Sequence, residues 1–220
     1  MKRAMLILSA MAVLALGQPV LAIPSLQTFI PSATWDAGTQ TWVTNAGTFE
    51  LWVIAANTDA KPIFDLTLVG ALDQNQAPVA SALSIDGADI DAFTYGTPPS
   101  WGDNAGDYPP HGIYPTNYFE LSVAALVDDA PETVHNMQPG EYDDTAPGKI
   151  FKFEITTTYD WLHFDSYGFL REQDGLFKFS PNSHDAEKRT PPPPSVPEPG
   201  TMLLFGSALA LVGVVRKFQK

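Results

Sequence analysis

The feature that most constrains the fold is a series of short segments in which apolar and polar residues alternate. In 149–156, Phe151, Phe153 and Ile155 alternate with polar residues, while Ile150 falls on the polar face. A two-residue period is typical of a strand with one buried face. Comparable runs, rich in aromatic and β-branched residues, occupy 48–55, 63–69, 118–126, 161–169 and 175–179. Because helical periodicity is almost absent, the pattern predicts an all-β fold, a single antiparallel β-sandwich of the jelly-roll or immunoglobulin-like type.

The same alternation predicts which side chains face the core. The residues expected to point inward are Phe64, Leu66 and Leu68, then Phe119, Leu121 and Val123, and the strand tryptophans Trp52 and Trp161. The runs 96–115 and 128–148 are Pro-rich and acidic, so we expect them to be surface loops.

The first 22 residues have the three parts of a secretory signal peptide. Lys2 and Arg3 form a positive start, and 4–16 is almost purely apolar. Gly17, Gln18 and Pro19 then break the helix before the small residues that a signal peptidase requires. We expect export with cleavage after Ala22; a retained N-terminal anchor helix is the alternative.

Residues 23–180 are therefore expected to form the ectodomain, and 181–195 a Pro-rich linker. The four prolines at 191–194 favour an extended polyproline II spacer. A disordered tether is the alternative interpretation of the same composition.

The last segment, 196–220, combines a Pro-Glu-Pro box, an apolar run and a basic end. The apolar run 202–215 has 14 residues, and at about 1.5 Å per residue a helix of that length spans roughly 21 Å. A bilayer hydrocarbon core is about 30 Å thick, so this helix is a poor permanent anchor. An ordinary C-terminal anchor helix is the alternative.

This tail resembles the PEP-CTERM sorting signal of Gram-negative bacteria. The residues that carry the resemblance are Val196, Pro197, Glu198, Pro199, Arg216 and Lys217. The resemblance implies two processing partners, signal peptidase and an integral-membrane exosortase that cuts near the box. It also implies transient inner-membrane contact through the C-terminal helix, and a final location at the cell surface or outside the cell.

Without the two terminal signals the chain is strongly acidic. Five of the 12 basic residues but only one of the 25 acidic residues lie in the signals. Seven basic residues against 24 acidic ones leave the mature part with a net charge of −17. Such a surface disfavours nucleic acid and anionic lipid as partners. The absence of cysteine excludes disulfides, a cysteine nucleophile and thiolate metal ligands.

The ectodomain resembles the "choice-of-anchor N" family of exported domains. The segments that carry this resemblance are 26–36, 41–43, 49–53, 111–116, 162–165 and 183–187. The resemblance implies surface display and no known reaction.

Calcium is the one candidate cofactor, and it rests on acidic loops. The oxygen donors of 103–107 are spaced like part of a calcium loop but lack the closing Glu of an EF-hand. Further carboxylates are Asp86, Asp89 and Asp91, and the pairs Asp128–Asp129 and Asp143–Asp144. The alternative is that these carboxylates are simply solvated, in which case the chain has no cofactor.

The histidines give little support for catalysis. His111, His135, His163 and His184 show no HExxH or paired-His spacing, which disfavours a zinc hydrolase. His163 is expected at a strand edge or face. His184 and Asp185 are adjacent without a G-x-S-x-G elbow, which disfavours a serine hydrolase. We therefore predict no catalytic residues and no dedicated metal ligands.

Aromatic residues leave a carbohydrate-binding alternative open. Trp101 lies in a Pro-rich loop with Tyr95, Tyr108 and Tyr114, which could form a sugar-stacking platform. The alternative is a buried Trp101 that pins the loop to the domain.

Three functions remain open at this stage. The first is a non-enzymatic surface or matrix protein associated with exopolysaccharide and biofilm. The second is a carbohydrate- or calcium-binding module, and the third is a secreted hydrolase, which would need two carboxylates in a cleft.

Overall fold

The computed structural model describes residues 23–58, 61–100, 112–140, 144–170, 177–181 and 184–190, and the regular elements there are strands. In chain order they are β1 (Leu26–Phe29), β2 (Thr34–Asp36), β3 (Thr41–Thr44), β4 (Thr48–Ala56), β5 (Ile63–Leu72), β6 (Leu83–Ile85), β7 (Ala88–Asp89), β8 (Thr94–Gly96), β9 (Thr116–Val127), β10 (Glu132–His135), β11 (Thr145–Thr157), β12 (Trp161–Phe169), β13 (Phe177–Phe179) and β14 (Asp185–Arg189). The predicted all-β class is confirmed over these ranges.

The strands form two sheets. The first has the order β1-β4-β11-β6-β7, with β10 also paired to β11. The second has the order β2-β3-β14-β12-β5-β9-β8, with β13 also paired to β12. The prediction of a purely antiparallel fold is wrong at one place, because β14 pairs with β3 in parallel. The long chain between these two strands permits parallel pairing, which a tight hairpin does not.

The main core lies between the two sheets. Leu26, Leu51 and Val53 contribute from the first sheet, and Leu68 and Phe164 from the second. These five side chains are fully buried, which is the arrangement of a two-layer β fold.

Most of the predicted inward positions are confirmed. The alternation correctly predicted residues that lie in the main core or pack against it: Leu66, Leu68, Phe119, Leu121, Val123, Phe151, Phe153 and Ile155.

A bulge in β5 makes one of these predictions wrong. Asp65 has a φ of 50°, and in the pairing of β5 with β12 the three steps from Phe64 to Thr67 lie opposite only two steps from Phe169 to Tyr167. One extra residue in a strand reverses the faces of the residues before it. Ile63 therefore joins the main core, whereas Phe64 is only half-buried.

Trp52 and Trp161 are half-buried and lie outside the main core, so their predicted core position is wrong. Trp52 and Ile150 pack with Phe29 in a second apolar cluster. The face of β11 expected to be polar is therefore partly apolar.

The predicted loop 128–148 contains β10 and the first residues of β11, which form an antiparallel pair. Pro147 lies in β11 opposite Thr133 of β10. The second sheet extends beyond the domain end predicted at residue 180, because β14 covers 185–189 of the segment predicted as a linker.

The predicted helices at 1–22 and 202–215 lie outside the described residues. Within the described ranges, no helix has the length and apolarity needed to cross a bilayer.

Candidate functional site

Two neighbouring strands bring four ionisable side chains together on the outer face of the second sheet. In β12, Leu162 and Phe164 point into the main core, so His163 and Asp165 point to the opposite face. His163 pairs with Glu187 of β14. Asp185 lies two residues before Glu187 and shares its face.

These four side chains are almost completely removed from solvent. Asp165 and Asp185 have no exposed surface, and His163 and Glu187 are 3% and 4% exposed. We call His163, Asp165, Asp185 and Glu187 the histidine–carboxylate cluster. Charged groups are rarely buried to this extent unless they are paired or coordinate a metal.

The imidazole of His163 lies at the centre of the cluster. Its Nε2 is 3.3 Å from Asp165 Oδ1 and 3.6 Å from Asp185 Oδ2. Its Nδ1 is 3.8 Å from Glu187 Oε2. The two ring nitrogens therefore face different carboxylates, with both aspartates on the Nε2 side.

Neighbouring side chains fix the orientation of the cluster. The Tyr114 hydroxyl donates a hydrogen bond to Asp165 Oδ2 at 2.8 Å. The Trp161 ring is stacked on His163 at 5.8 Å with an interplanar angle of 14°. Arg189 Nε is 3.4 Å from Glu187 Oε1, and the same guanidinium also pairs with Asp36.

The electrostatic setting favours the protonated imidazole in the absence of any cation. Burial alone lowers the pKa of His163, but the Asp165 charge and hydrogen bonds to the surrounding carboxylates outweigh it. The pKa of His163 is therefore held well above its usual value. Burial, followed by the Asp165 charge, raises the pKa of Tyr114, so Tyr114 is a neutral hydrogen-bond donor at physiological pH.

A cavity of about 240 Å³ adjoins the cluster. Its walls are formed by Thr39, Thr41, Ile113, Trp161, His163, Asp185, Glu187 and Arg189. The cluster is thus in contact with a space that can admit water or a small polar ligand.

The arrangement has the chemistry of a metal site. One ligand atom each from His163, Asp165 and Asp185 lies within 4.8 Å of the other two. Among the described residues, this is the one group of three or more His, Asp or Glu side chains with that geometry. Imidazole nitrogen and carboxylate oxygen are both ligands of divalent metals.

The predicted calcium ligands are not brought together with this cluster. Asp86 Oδ1 accepts a hydrogen bond from the Glu154 amide at 2.7 Å. Asp91 and Asp89 accept hydrogen bonds from the backbone and side chain of Ser81. Asp86 therefore joins the end of β6 to β11, and Asp89 and Asp91 hold the turn at Ser81.

Of the remaining acidic candidates, one forms an ion pair and several fall outside the described residues. Asp129 pairs with Lys149 at 3.2 Å. The 103–107 loop and Asp143 lie outside the described residues.

Two residues of the predicted sugar-stacking platform, Tyr95 and Tyr114, are described by the structure. Tyr95 is 67% exposed, but Tyr114 directs its hydroxyl to buried Asp165. Tyr114 is half-buried, so its ring is less open to stacking than that of Tyr95. Trp101 and Tyr108 lie outside the described residues.

The three histidines that the structure describes have different surroundings. His163 is a face residue, one of its two expected positions: β12 is flanked by β14 and β5, and the His163 side chain lies buried on the outer face of the second sheet. His184 Nε2 is 2.8 Å from Asn136 Oδ1, and His135 is exposed in β10. His111 lies outside the described residues.

Sequence reasoning missed Asp165, Asp185 and Glu187 as partners of His163. The available signal was a pair of two-residue spacings, His163-x-Asp165 and Asp185-x-Glu187. In strands this spacing places both members of each pair on one face. Knowledge that β12 and β14 are neighbours was also needed.

The comparison with protein families concerns the tail. A family model described as the PEP-CTERM protein-sorting motif matches residues 195–217. The tail is a PEP-CTERM sorting motif. This span includes Val196, Pro197, Glu198, Pro199, Arg216 and Lys217, which lie outside the described residues, as does Ala22. The motif indicates export, processing by an exosortase, and a cell-surface or extracellular location after processing.

No curated protein matches the chain. Two solved structures are distantly similar. One, described as AvmM, which catalyses macrocyclization in alchivemycin A biosynthesis, has a TM-score of 0.34 and 8% identity over 79% of this chain and 93% of its own. The other, a Corynebacterium diphtheriae protein described as membrane anchored, has a TM-score of 0.30 and 15% identity over 83% of this chain and 39% of its own. Neither likeness supports a conclusion about function.

Proposed function

We propose that this chain is a non-enzymatic surface protein of a Gram-negative bacterium, held in the exopolysaccharide matrix of a biofilm. The observation that carries the proposal is the sorting motif at 195–217. It follows a β-rich domain and a proline-rich segment in one chain, an order suited to releasing a folded domain outside the cell. The resemblance to the choice-of-anchor N family supports the same role.

The character of the domain is consistent with this role. A net charge of −17 in the mature part favours solubility and attraction of cations. The histidine–carboxylate cluster is at most 4% exposed, and such depth suits binding or structural stabilisation better than turnover of a polymer.

Fractionation of cultures tests the matrix role. In a strain that makes exopolysaccharide, we expect the protein in the matrix fraction; in a strain lacking exopolysaccharide, we expect it in the medium. Equal distribution in both strains would contradict matrix association.

A second assay tests the absence of catalysis. The purified protein is incubated with extracted exopolysaccharide, and new reducing ends are measured. We expect none above the level of heat-denatured protein. Cleavage that disappears in Asp165→Asn would instead support the secreted hydrolase.

A carbohydrate-binding role is the second candidate, and one observation favours it. Trp161 lines the cavity beside Arg189 and two threonines, so an aromatic ring and polar groups border one space. Binding of matrix oligosaccharides that weakens in Trp161→Ala, but not in the control Tyr95→Ala, would support this role. Equal binding by both variants would count against it.

A further inference from the structure

We propose that His163, Asp165 and Asp185 bind a divalent transition-metal ion, with Zn²⁺ as the best match, and that this ion fastens β14 to β12. The proposal goes beyond surface display, since it assigns a metal site to residues that no sequence motif marked. It also stands independently of what the domain binds outside the cell.

Two distances from His163 to the carboxylates match those between ligand atoms around a tetrahedral ion. Ligand atoms about 2.0–2.2 Å from Zn²⁺ at tetrahedral angles lie about 3.3–3.6 Å from each other. His163 Nε2 is 3.3 Å from Asp165 Oδ1 and 3.6 Å from Asp185 Oδ2. All three ligand atoms lie within 4.8 Å of one another, so one ion can contact them all after a modest adjustment of the side chains.

Two outer contacts support the same assignment. Metal-bound histidines usually direct their second ring nitrogen to a carboxylate or carbonyl, and ligating carboxylates are themselves hydrogen-bonded. His163 Nδ1 faces Glu187 Oε2 at 3.8 Å, on the side away from the two aspartates. Tyr114 donates to Asp165 Oδ2, which leaves Oδ1 directed to His163 Nε2. Both features orient ligands for an ion on the Nε2 side.

A bound ion would offset the repulsion between the buried carboxylates of the cluster. Asp165 and Asp185 have no exposed surface, and His163 is 3% exposed. Carboxylates brought this close together repel each other strongly when water is excluded. A dication between them converts that repulsion into attraction, and metal coordination is one of the ways in which buried charges are tolerated.

The cavity supplies access to the site. His163 and Asp185 both line its wall, so an ion can reach the ligands from solvent, and a water molecule can complete the coordination. A site with three protein ligands and one open position is a familiar zinc geometry.

The imidazole decides which class of metal is preferred. Ca²⁺ is bound by six to eight oxygen ligands at about 2.3–2.6 Å. Imidazole suits zinc and other first-row transition metals, whereas calcium and magnesium prefer oxygen. The cluster has one nitrogen donor among few oxygen donors, so Ca²⁺ serves as the discriminating control.

The three ligands come from two different strands, so the ion would link those strands. β12 supplies His163 and Asp165, and β14 supplies Asp185. β14 is the last strand before the proline run and the sorting motif in the sequence. The ion therefore ties the final strand of the domain to the centre of the second sheet.

The direct test uses the mature protein isolated from culture, stripped with a chelator and titrated with Zn²⁺ by calorimetry. We expect one Zn²⁺ per chain and a higher melting temperature with Zn²⁺ than with Ca²⁺ at the same concentration. In Asp185→Asn and His163→Gln, we expect affinity to fall by more than the roughly 10–100-fold that accompanies loss of an outer contact.

Two control variants test whether Zn²⁺ binds instead at an exposed carboxylate or an exposed histidine. Asp129→Asn removes an exposed carboxylate that pairs with Lys149, and His135→Gln removes an exposed histidine. Both variants are expected to bind one Zn²⁺ with unchanged affinity. Loss of the stoichiometric site in either control, with retention in Asp185→Asn, would overturn the proposal.

The wild-type protein decides the question if the cluster variants do not fold. Co²⁺ in place of Zn²⁺ is expected to give the intense visible absorption of a tetrahedral site, and one equivalent of Zn²⁺ is expected to remove it. Failure of the stripped protein to bind one equivalent of either ion would overturn the metal site. That result would leave the matrix role unaffected, since fractionation measures it separately.

Discussion

Tyr114 orients one carboxylate of the histidine–carboxylate cluster. Its hydroxyl holds Asp165 Oδ2 and so orients the opposite oxygen to His163. Tyr114→Phe keeps the ring and removes this donor. We expect Zn²⁺ affinity to fall about 10–100-fold, with the domain still folded, as measured by calorimetry and circular dichroism.

The control for this change is Tyr95→Phe, since Tyr95 is 67% exposed and lies in β8 at the sheet edge. Its affinity for Zn²⁺ should equal that of the unmodified protein. Unchanged affinity in Tyr114→Phe would show that the Asp165 orientation does not depend on this hydrogen bond.

A second prediction at the residue scale concerns Gly70 in β5. A Cβ added there would lie 2.0 Å from Phe119 Cε1, because the Phe119 ring of β9 covers this glycine. Gly70→Ala must displace the ring from the main core. We expect a loss of about 1–3 kcal/mol in the free energy of unfolding, measured by urea denaturation.

Gly47→Ala provides the comparison, since its added Cβ would meet only Thr157 O, at an ordinary 3.5 Å. We expect this change to stay within about 0.5 kcal/mol. An equal loss in both variants would mean that the Phe119 contact is not the cause.

The alternation of apolar and polar residues predicted the core positions better than it predicted the histidine–carboxylate cluster. Alternation identifies Leu66, Leu68 and Phe119 because burial acts on each strand by itself. It cannot place His163 beside Asp185, since these residues are far apart in sequence and meet only after β12 and β14 pair. The bulge at Asp65 is similarly invisible, so Ile63 and Phe64 exchange their expected faces.

At the scale of elements, β14 is the least predictable strand. Its sequence, Asp-Ala-Glu-Lys-Arg, has one apolar residue, and the pattern therefore favoured a linker. Ala186 is the one residue of β14 in the main core. Lys188 shares its face and is buried, donating from Nζ to Tyr159 O, while Asp185 and Glu187 are buried on the other face. Pairing with β12 and β3 on both sides supplies the backbone hydrogen bonds that the side-chain pattern does not reveal.

The metal proposal makes a specific prediction for this strand. If an ion ties β14 to β12, then adding Zn²⁺ to the stripped protein should slow hydrogen exchange in 185–189 and 161–164. Local openings of a strand become rarer when a ligand bridges it to its neighbour. Exchange followed by mass spectrometry of peptic fragments measures this effect.

The strand pair β10–β11 is the internal comparison, because it belongs to the first sheet. Its exchange should change little on addition of Zn²⁺. Uniform slowing over both sheets would indicate global stabilisation instead, and no slowing in 185–189 would contradict a bridge between the strands.

At the scale of the whole molecule, the sequence predicts the sorting route of the protein but not the ligand or activity of its domain. The tail acts through a short linear pattern, so Val196–Pro199 and Arg216–Lys217 suffice to predict the sorting route, which the family match supports. The domain acts through side chains that only the fold assembles. Its acidic composition disfavours nucleic acid and anionic lipid as partners but does not identify a ligand. The activity of a β-rich surface domain therefore has to be sought in its geometry.

Mass spectrometry of the protein from cells with and without the exosortase tests the sorting route most directly. In cells that have the enzyme, we expect a chain that begins at Ile23 and ends near the Pro-Glu-Pro box at 197–199. In cells without it, we expect peptides that extend to Lys220. A chain that ends at Lys220 in both strains would contradict processing of the tail.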